Sequence, residues 1–173
     1  VFTIKSVIML AESQLGYHEG HDASGWNNRQ KYSEQVPGLA WSDEQPWCAT
    51  FANWVFWQAG IHVPTGAVSA SCAASVAAYK KAKRFTQYPV IGAQVFYGKG
   101  GGEHTGICTG YDLMHEIAVE GNTNDNGSAE GDGVYRKERE RRSSYVYGYG
   151  IPYYPHDVGQ SPDEHWSGKS LAK

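Results

Sequence analysis

Cys48 heads the apolar run Trp47-Cys48-Ala49-Thr50-Phe51-Ala52-Asn53-Trp54-Val55-Phe56-Trp57-Gln58-Ala59, which Pro46 opens and Gly60 closes. Proline in the first turn and glycine just past the end mark a helix, and apolar side chains on almost every face bury it on several sides. A cysteine in the first turn meets unpaired backbone N–H groups and the positive end of the helix dipole. Both stabilise a thiolate, the nucleophilic form of the residue. Cys48 is therefore a candidate nucleophile, and it needs a base brought to it by the fold.

Of seven histidines, His104 is the best placed, at the start of a predicted strand after Gly100-Gly101-Gly102-Glu103. If Thr105–Tyr111 and Glu116–Glu120 form a hairpin around Asp112-Leu113-Met114, the register sets His104 against Glu120 or Asn122. Opposed residues on antiparallel strands share one face. A carboxylate or amide there fixes the imidazole tautomer and leaves the second ring nitrogen for the thiol. The arrangement depends on the turn, because a one-residue slip sends Glu120 to the other face.

The elements that must position these groups follow from the pattern. Phe2, Val7, Ile8, Leu10, Ala11 and Leu15 recur at helical spacing ahead of Gly16, which predicts a first helix. Tyr17 to Pro46 is rich in Gly, His, Asn, Asp and Ser and reads as irregular, with a short helix expected around Trp26–Ser33. The alanine-rich stretch Ser71 to Ala82 predicts a third helix. After Pro89, short β-prone runs take over at Ala93–Tyr97, Thr105–Tyr111, Glu116–Glu120, Gly133–Arg139 and Tyr145–Tyr149. Helices first and strands afterwards imply an α+β domain, with the central helix packed on an antiparallel sheet. That domain is expected over residues 1–155, with 156–173 a polar linker or tail.

Charge and composition exclude other classes. Fifteen Lys+Arg against 18 Asp+Glu give a net charge of -3 among 173 residues, which does not favour nucleic-acid binding. No apolar stretch approaches the roughly 20 residues of a membrane span. Val1 to Leu10 carries Lys5 within its apolar residues and lacks a small-residue cleavage pattern, so it is not read as a signal peptide. Three cysteines cannot all pair within one chain, and none forms a C-x-x-C. Cys72 and Cys108 read as packed small residues, Cys108 on the His104 side of its strand under the central helix. His115-Glu116 lacks the second histidine of a zinc protease motif, so no metal site is expected. In Arg136-Lys137-Glu138-Arg139-Glu140-Arg141-Arg142, alternation puts Lys137, Arg139 and Arg141 on one face of a solvated edge strand.

Four ordered segments resemble the motifs of CHAP domains, the cysteine, histidine-dependent amidohydrolase/peptidase domains of the papain-like, NlpC-related superfamily. They are Pro46 to Val55, Gly92-Ala93-Gln94-Val95-Phe96-Tyr97, Glu103-His104-Thr105-Gly106-Ile107 and Val119-Glu120-Gly121-Asn122-Thr123. Within that family the motifs resemble those of phage endolysins and bacterial cell-wall hydrolases, particularly those whose helix opens with Trp-Cys-Ala. The resemblance implies a papain-like fold, with Cys48 as nucleophile, His104 as general base, Glu120 as the orienting acid and Asn122 as a supporting polar residue. It also implies peptidoglycan as the partner, cut at an amide of the stem peptide or cross-bridge, by a monomer made in the cytoplasm that acts on the bacterial wall. Some CHAP endolysins bind calcium in an Asp-rich loop ahead of the nucleophile. Leu39-Ala40-Trp41-Ser42-Asp43-Glu44-Gln45 lacks the alternating oxygen ligands for that, so neither metal nor cofactor is expected. Gln45 is a candidate oxyanion donor beside the Cys48 backbone N–H. Trp41, Trp47 and Tyr97, with Trp26 and Tyr111, are candidate substrate contacts.

Overall fold

The computed structural model describes residues 2–155; the tail expected over 156–173 lies outside the described residues. Three helices, α1 (Ile4–Glu12), α2 (Cys48–Gln58) and α3 (Cys72–Lys81), accompany eight strands. These are β1 (His21–Asp22), β2 (Gly25–Trp26), β3 (Phe85–Thr86), β4 (Gln94–Tyr97), β5 (His104–Tyr111), β6 (His115–Thr123), β7 (Gly133–Glu140) and β8 (Val146–Gly150). β3 to β8 form one antiparallel sheet in the order β3-β8-β4-β5-β6-β7, and β1-β2 is a separate small hairpin. The architecture is α+β.

Local chemistry explains the helix starts. Thr3 and Ser6 close a reciprocal capping box at α1, and the Ser71 side chain accepts the Ala74 N–H at α3. At α2 no side chain caps the first turn. The short helix expected around Trp26–Ser33 does not form. Asp22 instead binds the Ser24 N–H and the Asn27 amide, and positive φ at Gly25 and Asn28 turns the chain, so Trp26 falls in β2 and a 3-10 turn begins only at Ser33.

The two faces of the sheet bury different cores. Phe51 and Val55 of α2 pack on Ile107 and Val119, together with Val7 and Ala11 of α1. α3 packs through Val76 and Tyr79 on Phe85 and Phe96. The opposite face carries Val95, Tyr97, Cys108, Ala118, Val146 and Tyr149. Cys108 therefore does not lie under the central helix as expected, because the period of two gives that place to Ile107. α2 rests directly on β6 at Gly121, where an added Cβ would meet Phe51 Cβ and Trp47 Cζ3 at 2.7 Å.

Glu116 is buried on the Cys108 face and accepts the Tyr97 hydroxyl at 2.6 Å. Burial pushes its pKa up to about 8, against the Tyr97 hydrogen bond and with the charge of Glu120 adding to the rise. The folded protein thus holds this proton through a range in which the unfolded chain, near the ordinary carboxyl value of 4.5, has released it. Stability is therefore full below the unfolded value and declines as pH rises toward about 8, by at most ~1.4 kcal/mol per pH unit. Glu116→Gln is expected to flatten that decline in thermal melts between about pH 5 and 8. Parallel wild-type and variant profiles would show instead that the carboxyl is ionised in the fold.

Candidate active site

α2 presents Cys48 as its first residue, and β5 presents His104 as its first. His104 Nε2 lies 2.8 Å from Glu120 Oε2, with both side chains 0% exposed. His104 Nδ1, the other ring nitrogen, has no hydrogen bond of ordinary geometry, and the ring's interaction with Cys48 lowers the Cys48 pKa and raises its own. A hydrogen bond from Cys72 lowers the Cys48 pKa well below the ordinary thiol range; burial opposes this, and His104 and the Ala49 N–H add to the lowering. The uncapped helix end is thus used by the sulfur. Burial alone would depress His104, but Cys48 and Glu120 outweigh it and hold its pKa at about 9. Both shifts favour the charged forms, a Cys48 thiolate beside a His104 imidazolium.

Glu120 reaches His104 by a specific register. Asp112-Leu113-Met114 make the β5–β6 turn, and Tyr111 pairs Glu116. Continued without interruption, that register would set His104 against Thr123 and turn Glu120 to the far face. A bulge between Cys108 and Gly110 shifts the ladder, so that Ile107 pairs Val119 and Cys108 pairs Ala118. Glu120 then faces Gly106, where an added Cβ would sit 2.7 Å from Glu120 Cγ. Glycine leaves the carboxylate room to pass over to His104.

Asn122 does not extend this row. It has φ 56, in the left-handed region, at an irregularity of the β6–β7 ladder between Glu120 and Thr123. The side chain is buried, and neither amide atom has a hydrogen-bond partner among the described residues. The alternation that would have put it beside Glu120 is broken there.

Arg139 completes the network and was not anticipated. Its Nε donates to Glu120 Oε1 at 3.0 Å and its Nη2 to Glu120 Oε2 at 2.7 Å. The guanidinium lies 4.6 Å from the Tyr97 ring centroid and 5.2 Å from that of Tyr145. Burial alone would raise the Glu120 pKa, yet the hydrogen bonds from His104 and Arg139 hold it below the usual carboxylate value. The edge position of β7 and its alternation are as the sequence predicts, but the face carrying Lys137, Arg139 and Arg141 is the better buried one. That face is not simply solvated, because it covers the carboxylate of Glu120.

The candidate substrate contacts separate. Trp47 and Tyr97 are both 0% exposed and belong to the core. Trp47 Nε1 donates to Glu19 Oε2 at 2.6 Å, and the Tyr97 ring stacks on His104 with centroids 5.8 Å apart. They position the site from beneath and cannot line a groove. Gln45 and Trp41 stay exposed on the turn ahead of α2. Tyr111 is at the far end of β5, where the Arg141 guanidinium lies over its ring. Trp26 lines a cleft of about 300 Å³ with Glu19, Asn28, Asn124, Glu130, Gly131 and Asp132. Glu19, buried and bound by Trp47 and the Asn28 N–H, ties that cleft to the residue before Cys48. Its distance in sequence gave no sign of this.

Among the described residues one group has metal-ligand geometry, Asp112, His115 and Glu138, with ligand atoms within 4.8 Å of one another. It is at the β5–β6 turn, the opposite end of β5 from His104. Asp112 already accepts the Met114 and His115 N–H groups.

Comparison with protein-family models, curated proteins and solved structures gives no match. A cysteine at a helix N-terminus, a histidine and a buried carboxylate make a candidate nucleophile, acid–base and orienter set suited to acyl transfer. Iodoacetamide should alkylate Cys48 far below the ~8.5 midpoint of an ordinary thiol, and His104→Ala should move that midpoint up. A midpoint at the ordinary value in the wild type would exclude the ion pair.

Proposed function

We propose that this protein is a CHAP-type, papain-like cysteine hydrolase of peptidoglycan that cuts an amide of the stem peptide or cross-bridge, as a phage endolysin does. The observation that carries the reading is His104 held through Nε2 by the buried Glu120 at 2.8 Å, with Cys48 at the first position of α2 as the thiol the ring acts on. The wall substrate rests on the ordered motifs around Cys48, Tyr97, His104 and Glu120. The acidic cleft of Glu19, Glu130 and Asp132 supports it further, since it favours peptide segments with free ammonium groups. No helix among the described residues is long and apolar enough to cross a membrane.

In the reaction, the Cys48 thiolate attacks the scissile carbonyl carbon, and the backbone N–H groups at the start of α2 receive the developing oxyanion. The His104 imidazolium gives its proton to the departing amine as the C–N bond breaks, leaving a thioester on Cys48. The neutral imidazole then takes a proton from water, the hydroxide attacks the thioester, and the released carboxylate leaves the thiolate–imidazolium pair restored. Glu120 keeps His104 Nε2 protonated and the ring aimed throughout.

The test is the product. Digestion of purified peptidoglycan should release new amino termini and no new reducing sugar ends. Amino termini on alanine identify a muramoyl-alanine amidase, and termini inside the stem or bridge an endopeptidase. Binding to walls with no new termini would make the protein a wall-binding module. Cleavage of unfolded proteins but not of muropeptides would make it a general protease.

A further inference from the structure

Two helix N-termini meet at the nucleophile. Cys48 opens α2 and Cys72 opens α3, and their Sγ atoms are 3.7 Å apart. Each residue is only 6% exposed, so the sulfurs face each other within the protein. With Cys48 ionised, the Cys72 thiol must be the donor, and the Cys72 pKa is correspondingly raised. A thiolate held against a protonated thiol is the pairing of an attacking and a resolving cysteine. Acyl transfer as derived above has no bond-making use for Cys72.

We propose that Cys48 and Cys72 form a reversible redox couple, in which a hydroperoxide oxidises Cys48 and Cys72 closes the disulfide that switches the nucleophile off. In the first step the Cys48 thiolate attacks the peroxide O–O bond. Sulfur gains one oxygen and gives up two electrons, and the other oxygen leaves with a proton as water or an alcohol. In the second step the Cys72 sulfur attacks the sulfenyl sulfur, the S–O bond breaks, and hydroxide departs with the Cys72 proton as water. The sulfurs close from 3.7 Å to a bond of ~2.05 Å. An external dithiol reopens the bond and is itself oxidised to a disulfide. Cys108 cannot compete: it is fully buried among Val95, Ala118 and Tyr149 on the other face of the sheet, and burial raises its pKa.

The couple requires the Cys48 thiolate but not a wall substrate, so its test is read on the protein. The reduced full chain is treated with a several-fold molar excess of hydrogen peroxide, since sulfinic acid takes two peroxides per sulfur, then denatured under iodoacetamide and mapped by mass spectrometry. The expected map has a Cys48–Cys72 linked peptide with two hydrogens lost, Cys108 alkylated, and all three thiols recovered after dithiothreitol. In Cys72→Ser, with folding verified by circular dichroism, Cys48 should advance to sulfinic acid. Its thiol recovery with dithiothreitol should then fall on the order of tenfold below wild type. The proposal is overturned if wild-type Cys48 reaches sulfinic acid as readily as in Cys72→Ser, if the linked peptide contains Cys108, or if Cys48 resists peroxide. A linked Cys48–Cys72 peptide from a protein that releases no amino termini from walls would uphold the couple and reject the proposed hydrolase.

Discussion

Cys48→Ala is expected to abolish amide hydrolysis, by roughly 10⁴- to 10⁶-fold, the range found when a member of a nucleophile–base set is removed. Cys48→Ser should fare little better, because a serine hydroxyl does not ionise in the pH range where the thiol does. Both variants should fold. The side chain is small, and replacing it removes a buried negative charge rather than leaving one unpaired. The histidine reports the change directly. Burial pulls the His104 pKa down and Cys48 is the largest influence raising it to about 9, so loss of the thiolate should move the His104 NMR titration toward neutrality. His104→Ala should cost a comparable factor, and the double variant no more than either single one, since the two residues act as a unit. Wild-type rates in Cys48→Ala would place the chemistry elsewhere. An unmoved His104 titration would show that the two side chains are not coupled.

The parts of this arrangement that were legible in the sequence are those set by local chemistry. Pro46 and Gly60 bracket α2, Ser71 starts α3, and period-two runs mark β4 to β8, so the positions of Cys48 and His104 at their element ends could be read directly. The partnership with Glu120 was legible only as one of two choices. It depends on a bulge between Cys108 and Gly110, which neither residue type nor turn length encodes. Asn122 went astray for the same kind of reason, since a left-handed residue interrupts the strand alternation. Trp47 and Tyr97 looked like surface aromatics because composition does not distinguish a ring that lines a groove from one that supports it. Glu19 and Arg139 gave no local signal, because their value comes from long-range partners: Trp47 for one, Glu120 for the other. Cys72 did offer one, at the first position of a helix as Cys48 is.

Arg139→Ala is expected to be the most destabilising single change in the site, by about 3–5 kcal/mol, because it strips a two-point partner from a buried carboxylate. Glu120 is 0% exposed and Arg139 16% exposed at the side chain, so solvent does little to replace the lost guanidinium. The pH dependence has a definite sign. Hydrogen bonds from His104 and Arg139 overcome the effect of burial and depress Glu120. Its stabilising contribution is therefore present above the ordinary carboxylate pKa and lost as pH falls through the depressed folded value. Without Arg139 the folded pKa rises, and acid unfolding should begin at a higher pH than in the wild type. Activity should fall with it, since a protonated Glu120 no longer anchors the His104 ring as an anion, and the acid limb of kcat/KM should shift up. Arg139→Lys separates charge from geometry: it keeps the cation but loses the fork that meets both carboxylate oxygens, so it should recover part of the stability and less of the rate. If Arg139→Ala shifted neither the acid transition nor the acid limb, Glu120 would have to be held by His104 alone, and the guanidinium would be a bystander stacked on Tyr97 and Tyr145.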